Sequence, residues 1–367
     1  MTRPAVRFIA IASVLGLIAI VAPDPPAGDS SLYQAIGKQL VVLDCHDIHC
    51  YRILPALVLE HLPGPSMFKW KLYAVLTSAA AAVALGRFCL VLGLSPRAAS
   101  IATWISGFGF GPLQAIFDPY TSDPVMYLVG PLLMADLFRA RLVRAGVVGT
   151  LGILAKEFAA VPLWMFAALS ALKRRWETAA RAALAALTAT LAWLTLQTVF
   201  MTLYNYSYGN NPSVRLLQGG FFAVWVTALG WPRAAAYLFL AFGPLFVLLA
   251  AGLVRAGRTM RLLALVSVLP ALMFVYVQQP DRALWNFHFV VIPIAMLVLQ
   301  DLSDRLCWLF VAAFAIANLR LGESQPALVS WLRVAMLAIA MALAAFASAA
   351  SFRRGEPQTT GVEAPHA

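Results

Sequence analysis

Charge is what this sequence has least of. Of its 367 residues only 12% are Asp, Glu, Lys or Arg, and the 16 acids are outnumbered by 27 bases. A soluble domain carries about 25% charged residues, so this chain cannot cover a globule of its size with a polar surface. That excludes a single soluble domain. A hydrophobic content of 62% excludes a disordered chain. Four cysteines spread over the whole length exclude a small disulfide-stapled scaffold. The sequence also lacks a Walker phosphate loop and a Gly-x-Gly-x-x-Gly fingerprint, so no soluble nucleotide-binding loop is expected. What is present is a mean hydropathy of +0.81, that of a chain whose solvent is mostly lipid. The expected fold class is all-α, a polytopic transmembrane helical bundle.

A bilayer core of roughly 30 Å is crossed by about 20 apolar helical residues. About 12 runs are candidate spans, near 6–22, 72–94, 98–117, 125–138, 145–156, 157–172, 179–204, 234–254, 262–278, 287–300, 306–319 and 331–351. Several are too short to cross alone. Lys156-Glu157 interrupts the stretch 145–172, which is either a tight pair of short helices or one long broken helix. Basic residues precede the first span (Arg3, Arg7) and cluster at alternate exits: Arg97; Arg139, Arg141 and Arg144; Lys173 to Arg175; Arg255, Arg258 and Arg261; Arg305; Arg353 and Arg354. With an even count all fall on one side, and the positive-inside rule makes that side cytoplasmic. The expected localisation is therefore the inner (plasma) membrane, multi-pass, with both termini cytoplasmic and no nucleic-acid partner. The expected organisation is a transmembrane domain over 1–351, with a first outer loop at 23–71, and a disordered tail over 352–367. Residues 1–22 also read as a signal peptide, but the prolines that follow Ala22 disfavour cleavage and the topology works with the span retained.

The opposite face collects a different chemistry. The first outer loop holds Asp24, Asp29-Ser-Ser-Leu-Tyr33 and Asp44-Cys-His-Asp-Ile-His-Cys-Tyr-Arg52, then an amphipathic piece at 53–62. Asp118-Pro-Tyr-Thr-Ser-Asp123 forms a short loop. Lys156-Glu157, a polar stretch from Asn205 with an aromatic segment at 221–231, Gln278 to His288, and 320–325 complete the set. A charge at membrane depth is costly and marks function by default. Asp29, Asp118, Asp123 and Glu157 stand at span ends, where they either line a wet cavity or are ordinary solvated loop acids. The other cations and aromatics have plain alternatives too. Arg52 could anchor at headgroups, Lys156 could pair with Glu157, and Arg282 with Asp281. His288 could cap a helix end, and Tyr33, Tyr120 and Trp285 could belong to an interfacial belt.

Cys45-His46-Asp47-Ile48-His49-Cys50 is the most unusual run. On a helix, positions 45, 46, 49 and 50 would share one face and could ligate zinc through His46, His49 and the thiols. In an oxidising compartment Cys45 and Cys50 would instead form a disulfide. Free thiols are the third reading. Cys89 and Cys307, inside spans, read as apolar packing.

Carboxylates at span ends beside an apolar groove suit transfer from a lipid-linked donor. A carboxylate takes the acceptor's proton, and a cation holds the departing phosphate. The order of features resembles the GT-C superfamily of integral membrane glycosyltransferases that use polyprenyl-phosphate sugars. The resemblance covers residues 5–300 and rests on Asp29-Ser-Ser-Leu-Tyr33, Tyr51-Arg-Ile-Leu-Pro-Ala56, Ala155-Lys156-Glu157, and Arg282 with His288 opening a late span at 289–299. It implies Asp29 as the catalytic base. It also implies Asp118 or Asp123 as a second-loop acid that positions the acceptor or a divalent metal, the one cofactor it suggests. Tyr33, Arg52, Asp118, Asp123, Lys156, Glu157, Arg282 and His288 are then the candidate substrate-binding residues. The implied partners are a polyprenyl-phosphate-linked sugar, membrane lipid, and a glycan or lipid acceptor of the cell envelope. The chain departs from the family pattern in having a single acid, apart from Asp24, where the family often pairs two. It also lacks a large soluble domain after the last span, and its Cys-His run has no family counterpart. The rival classes are a transporter or lipid flippase, whose polar groups belong at the midplane, and a non-catalytic assembly subunit.

Overall fold

The computed structural model describes residues 4–24, 29–207, 230–274, 280–319 and 327–354. The tail from 355, the 320–325 loop, Gln278, and most of the polar and aromatic stretch at 208–231 lie outside them. Among the described residues the chain is helical, with no strand. The first span is α1 (Pro4–Val21). The first outer loop folds into α2 (Ser30–Gln39), a 3-10 turn (Ile48–Tyr51) and α3 (Ile53–Glu60). Then follow α4 (Ser66–Val91), α5 (Pro96–Gly107), α6 (Phe110–Phe117), α7 (Asp123–Phe138), α8 (Leu142–Ile153), α9 (Val161–Leu172) and α10 (Trp176–Tyr204). The second half comprises α11 (Gly230–Phe242), α12 (Pro244–Arg255), α13 (Arg258–Phe274), α14 (Pro280–Trp285), α15 (His288–Leu299), α16 (Asp304–Asn318) and α17 (Ala327–Arg354).

The protein is a polytopic helical membrane protein, and several of the about 12 candidate runs are indeed too short to cross alone. Among the described residues four helices are long and apolar enough to cross alone: α1, α4, α10 and α17. A fifth joins α11 to α12, which meet at 101°. The bend sits at Gly243, whose φ of +52° suits a residue without a Cβ, and Pro244 then starts the next helix. Some of the shorter helices, α6, α7 and α15 among them, are largely buried in protein. In α15 every residue is buried, although its 12 residues rise only about 18 Å. Apolar on all sides, it forms the centre of the bundle, with α5, α12, α13 and α17 around it. By contrast α1, α10 and α17 present Leu17, Ile20, Leu184, Leu203, Leu328 and Trp331 outward, as lipid-facing helices do.

One helix start differs from the sequence reading, and one of its open alternatives is resolved. The second span begins at Ser66 and not at 72, because Pro65 starts the helix and the polar residues of its first turn are satisfied. Lys69 pairs with Glu60 at 3.1 Å, and the Trp70 indole donates to the same carboxylate at 2.9 Å. The stretch 145–172 is a tight pair of short helices, α8 and α9, with the break at Lys156.

Small residues set the close approaches. A Cβ on Gly111 would stand 2.1 Å from the Trp285 indole, and one on Gly109 would meet the same ring at 2.1 Å. The fully buried Trp285 thus lies on the backbone of α6, which fixes the end of α14. We expect Gly111→Ala to cost about 1–3 kcal/mol through overpacking, measured as a lowered midpoint of thermal unfolding in detergent. An unchanged midpoint would mean that Trp285 is free to shift.

The basic exits meet at one end of the bundle. Arg97 donates to the Gln300 and Leu302 carbonyls, each at 2.7 Å. Arg255 pairs with Asp301 and reaches Ser351. Lys173 donates to Thr259 at 2.9 Å, and Arg144 pairs with Asp136 at 3.0 Å.

Candidate active site

At the other ends of α4, α7 and α9 lies a compact ion network. The loop from α6 to α7 turns through Asp118, Thr121 and Ser122, and Asp123 begins α7 with Pro124 after it. An acid is favoured at this helix N-terminus. Asp123 is buried and receives two cations. Lys156 donates to its Oδ1, and Arg282 Nε donates to its Oδ2 at 2.8 Å. Arg282 also donates to Asp118 Oδ2 at 2.9 Å and to Thr121 Oγ1 at 2.6 Å. Arg52 makes a two-pronged contact with Glu157, 3.1 Å from Nε and 2.6 Å from Nη2. Arg52, Lys156 and Asp123 are each under 9% exposed, so these charges stand only because they are paired. Burial raises the Asp118 carboxyl above its ordinary value, against the Arg282 guanidinium, and the Asp29 and Asp123 carboxylates add to the rise. Asp29 therefore stands close enough to this network to repel it.

Asp29 heads α2 without capping it, and its side chain remains 46% exposed. Tyr33, one turn on along the same face, is fully buried, with its ring 5.0 Å from Trp70 and 5.8 Å from His49. Burial pushes its phenol well above the usual range, and Arg52, Asp29, Asp123 and Ser122 all act on it. Tyr120 completes the floor, 5.3 Å from Trp70, accepting from Gln34 at 3.4 Å and donating to Ser66 at 3.3 Å. Helix α2 lies so close to α3 that a Cβ on Gly37 would stand 2.4 Å from the Glu60 side chain.

The Cys-His run is not an α-helix. Cys45 and Cys50 form a disulfide, and the segment between them is a turn leading into the 3-10 helix. The shared helical face that would have gathered zinc ligands does not exist. His46 hydrogen-bonds Ser207 at 2.7 Å, while His49 turns the other way, to Asp47 at 2.5 Å and Asp29 at 3.6 Å. No group of three His, Cys, Asp or Glu suited to a metal occurs among the described residues. Burial works to raise the Asp47 carboxyl, but the His49 imidazole and backbone N–H outweigh it and hold it down to about 2. The loop is stitched to the end of α10: Asn205 donates to Asp44 at 2.7 Å, and Tyr206 accepts from the Val42 N–H at 3.0 Å.

The structure thus gathers Asp29, Tyr33, Arg52, Asp118, Asp123, Lys156, Glu157 and Arg282 around one place. It leaves His288 out. His288 is fully buried at the helix end, with Nδ1 hydrogen-bonded to the Trp285 carbonyl at 3.0 Å and the ring stacked on that indole, while its Nε2 has no partner among the described residues. The local alternatives for the cations fail. Arg52 binds Glu157, not headgroups; Lys156 takes Asp123, not its neighbour Glu157; and the Arg282 guanidinium takes Asp118 and Asp123, while only its backbone N–H donates to Asp281, at 2.9 Å. Tyr33, Tyr120 and Trp285 are buried, so none belongs to an interfacial belt. Cys89 is buried packing, as expected, but the Cys307 thiol donates to the Leu299 carbonyl at 3.0 Å. Sequence reasoning missed Thr121, Ser122, Trp70 and Glu60. The first two sat in a loop already marked as polar. Trp70 and Glu60 gave no signal, because their pairing depends on how α3 folds back on α4.

No family model matches the chain, and no curated protein matches it. Among solved structures, it is similar to the crystal structure of the Archaeoglobus fulgidus oligosaccharyltransferase tethered through a disulfide bond to an acceptor peptide containing the NVT sequon. The TM-score is 0.50 and the identity 12%, and the match covers 94% of this chain and 55% of that one. The chain therefore spans about half the length of that structure. The likeness is one of fold alone.

Proposed function

We propose that the protein is a membrane glycosyltransferase that moves a sugar from a polyprenyl-phosphate donor to a glycan or lipid acceptor of the cell envelope, at the outer face of the inner membrane. The observation that carries this reading is the gathering of three cations and four carboxylates from distant segments at the bundle end opposite the basic exits. The twelve-crossing topology with both termini cytoplasmic belongs to the same proposal, and it puts this network outside.

In this reading Asp29 accepts the proton of the acceptor hydroxyl as that oxygen bonds to the sugar's anomeric carbon. The bond from that carbon to the phosphate oxygen breaks, and its electron pair leaves on the phosphate. Arg52, Lys156 and Arg282 are held ready by their acids and share their charge with the departing phosphate, in a site of low dielectric. Tyr33, Trp70 and Tyr120 pack against one another as a buried aromatic cluster beside these charges. Both Asp123 oxygens are taken by cations, and no step here runs through a metal.

The test is a screen of the purified full chain with polyprenyl-phosphate hexoses and pentoses, with and without divalent metal, following loss of the lipid-linked sugar. Turnover of at least one donor is expected. Movement of the same lipids across vesicles without cleavage would replace this reading with a flippase.

A further inference from the structure

The disulfide-closed loop holds a pair of groups that the transfer step leaves unused. Asp47 Oδ1 accepts two bonds from one residue, from the His49 backbone N–H at 2.9 Å and from the His49 ring at 2.5 Å. An ionised carboxylate only accepts, so the ring nitrogen facing it, Nδ1, carries the hydrogen. In the neutral imidazole Nε2 is then a bare lone pair. That nitrogen points at Asp29 Oδ2 across 3.6 Å, a small side-chain rotation longer than a hydrogen bond, and such contacts commonly tighten when substrate binds. The ring is also fixed from behind. Tyr33 stands edge-on to it, and the Cys45–Cys50 bridge closes the loop on both sides. The charged and titratable groups around His49 are Asp47 in its own turn, Asp29 and Tyr33 from α2, and Arg52, which acts on Asp47.

We propose that His49, aligned by Asp47, takes the proton from Asp29 after each transfer and passes it to solvent, which resets the base. This rests on Asp29 being the base. The balance is simple. The proton that left the acceptor hydroxyl resides on the Asp29 carboxyl, moves to the Nε2 lone pair, and leaves from Nε2 to water. Asp47 compensates the transient imidazolium. No electron changes hands. The ring is 23% exposed, enough to reach water, while Nδ1 stays with Asp47 throughout. The arrangement also gives the disulfide a purpose: it holds a short loop so that one imidazole faces two carboxylates. His49 and Asp47 are positioning and relay residues, not groups that touch substrate.

The test uses the purified full chain in detergent with whichever polyprenyl-phosphate sugar it turns over. His49→Ala should lower kcat about tenfold with KM unchanged, a smaller loss than that of the base itself, and added imidazole should restore much of the rate. A merely structural histidine would give no such rescue. Asp29→Asn is measured beside it and should not respond to imidazole. Full turnover in His49→Ala, or a loss that imidazole leaves untouched, overturns the relay even when Asp29→Asn is dead and the base therefore stands. A second readout needs no turnover. In ¹⁵N-histidine spectra His49 should hold the Nδ1–H form and lose it in Asp47→Ala, and its Nε2 signal should move in Asp29→Asn. An Nε2 signal indifferent to Asp29 overturns the proposal whatever the donor screen finds.

Discussion

Asp29→Asn is expected to abolish sugar transfer while leaving the folded protein intact. The change removes one acceptor of a proton and nothing else of structural weight. The Asp29 side chain makes no capping bond, is 46% exposed, and among the described residues its one ion contact is His49 at 3.6 Å. Substitutions at such positions stay within about 0.5 kcal/mol of wild-type stability. Loss of a general base costs about 10²–10⁴-fold in rate, or about 3–5 kcal/mol of barrier at 1.36 kcal/mol per decade. The check is the initial rate of donor consumption at saturating acceptor, with the thermal midpoint measured on the same preparation. Asp24→Asn is the control within the same loop. Asp24 is 72% exposed and pairs with Lys71 at 3.0 Å, whose other bonds go to the Ala19 and Ala22 carbonyls, so its variant should keep the rate. Wild-type turnover in Asp29→Asn would remove the base from the mechanism, and loss in Asp24→Asn alone would move it.

Asp123→Ala should be the most destabilising single change in the site. Its carboxylate is the one partner of the buried Lys156 ammonium in the network and the second of the Arg282 guanidinium. Removing one member of a buried pair leaves an uncompensated charge and costs about 3–5 kcal/mol. Thermal unfolding in detergent reads this as a large drop in midpoint. The pairing argument makes a sharper demand: adding Lys156→Met to Asp123→Ala should recover much of the loss, because it removes the stranded charge. A double variant as unstable as the sum of its parts would show that the two residues act independently. Transfer should stay absent in the double variant even if stability returns, since a phosphate-holding cation is gone.

Much of this was legible in the sequence. Scarcity of charge and long apolar runs set lipid as the solvent, and the arginines at alternate exits mark one end of the bundle. The acids at span ends were visible as candidates because a charge there has few bland uses. The reading failed where it used local geometry to choose partners. Lys156 and Glu157 are adjacent, yet Lys156 is extended, so successive side chains leave the backbone in opposite directions. One finds Asp123, 33 residues away, and the other Arg52, 105 residues away. The Cys-His run failed as a metal face for a related reason: periodicity places residues on a shared face only if the segment is a helix, and the disulfide closes this one as a turn.

The short helices teach the same lesson from the side of packing. Bilayer thickness constrains only a helix that touches lipid, so hydropathy counted about 12 candidate runs where, among the described residues, four helices are long enough to cross alone. Whether α15 faces lipid or protein is decided by its neighbours, and those come from the whole chain. Composition and hydropathy, which act residue by residue, were enough to settle the solvent, the helical class and the kinds of groups available. Which acid meets which base, and which imidazole meets which carboxylate, was decided by tertiary structure alone, because a buried charge accepts whatever partner the folded helix ends bring within reach.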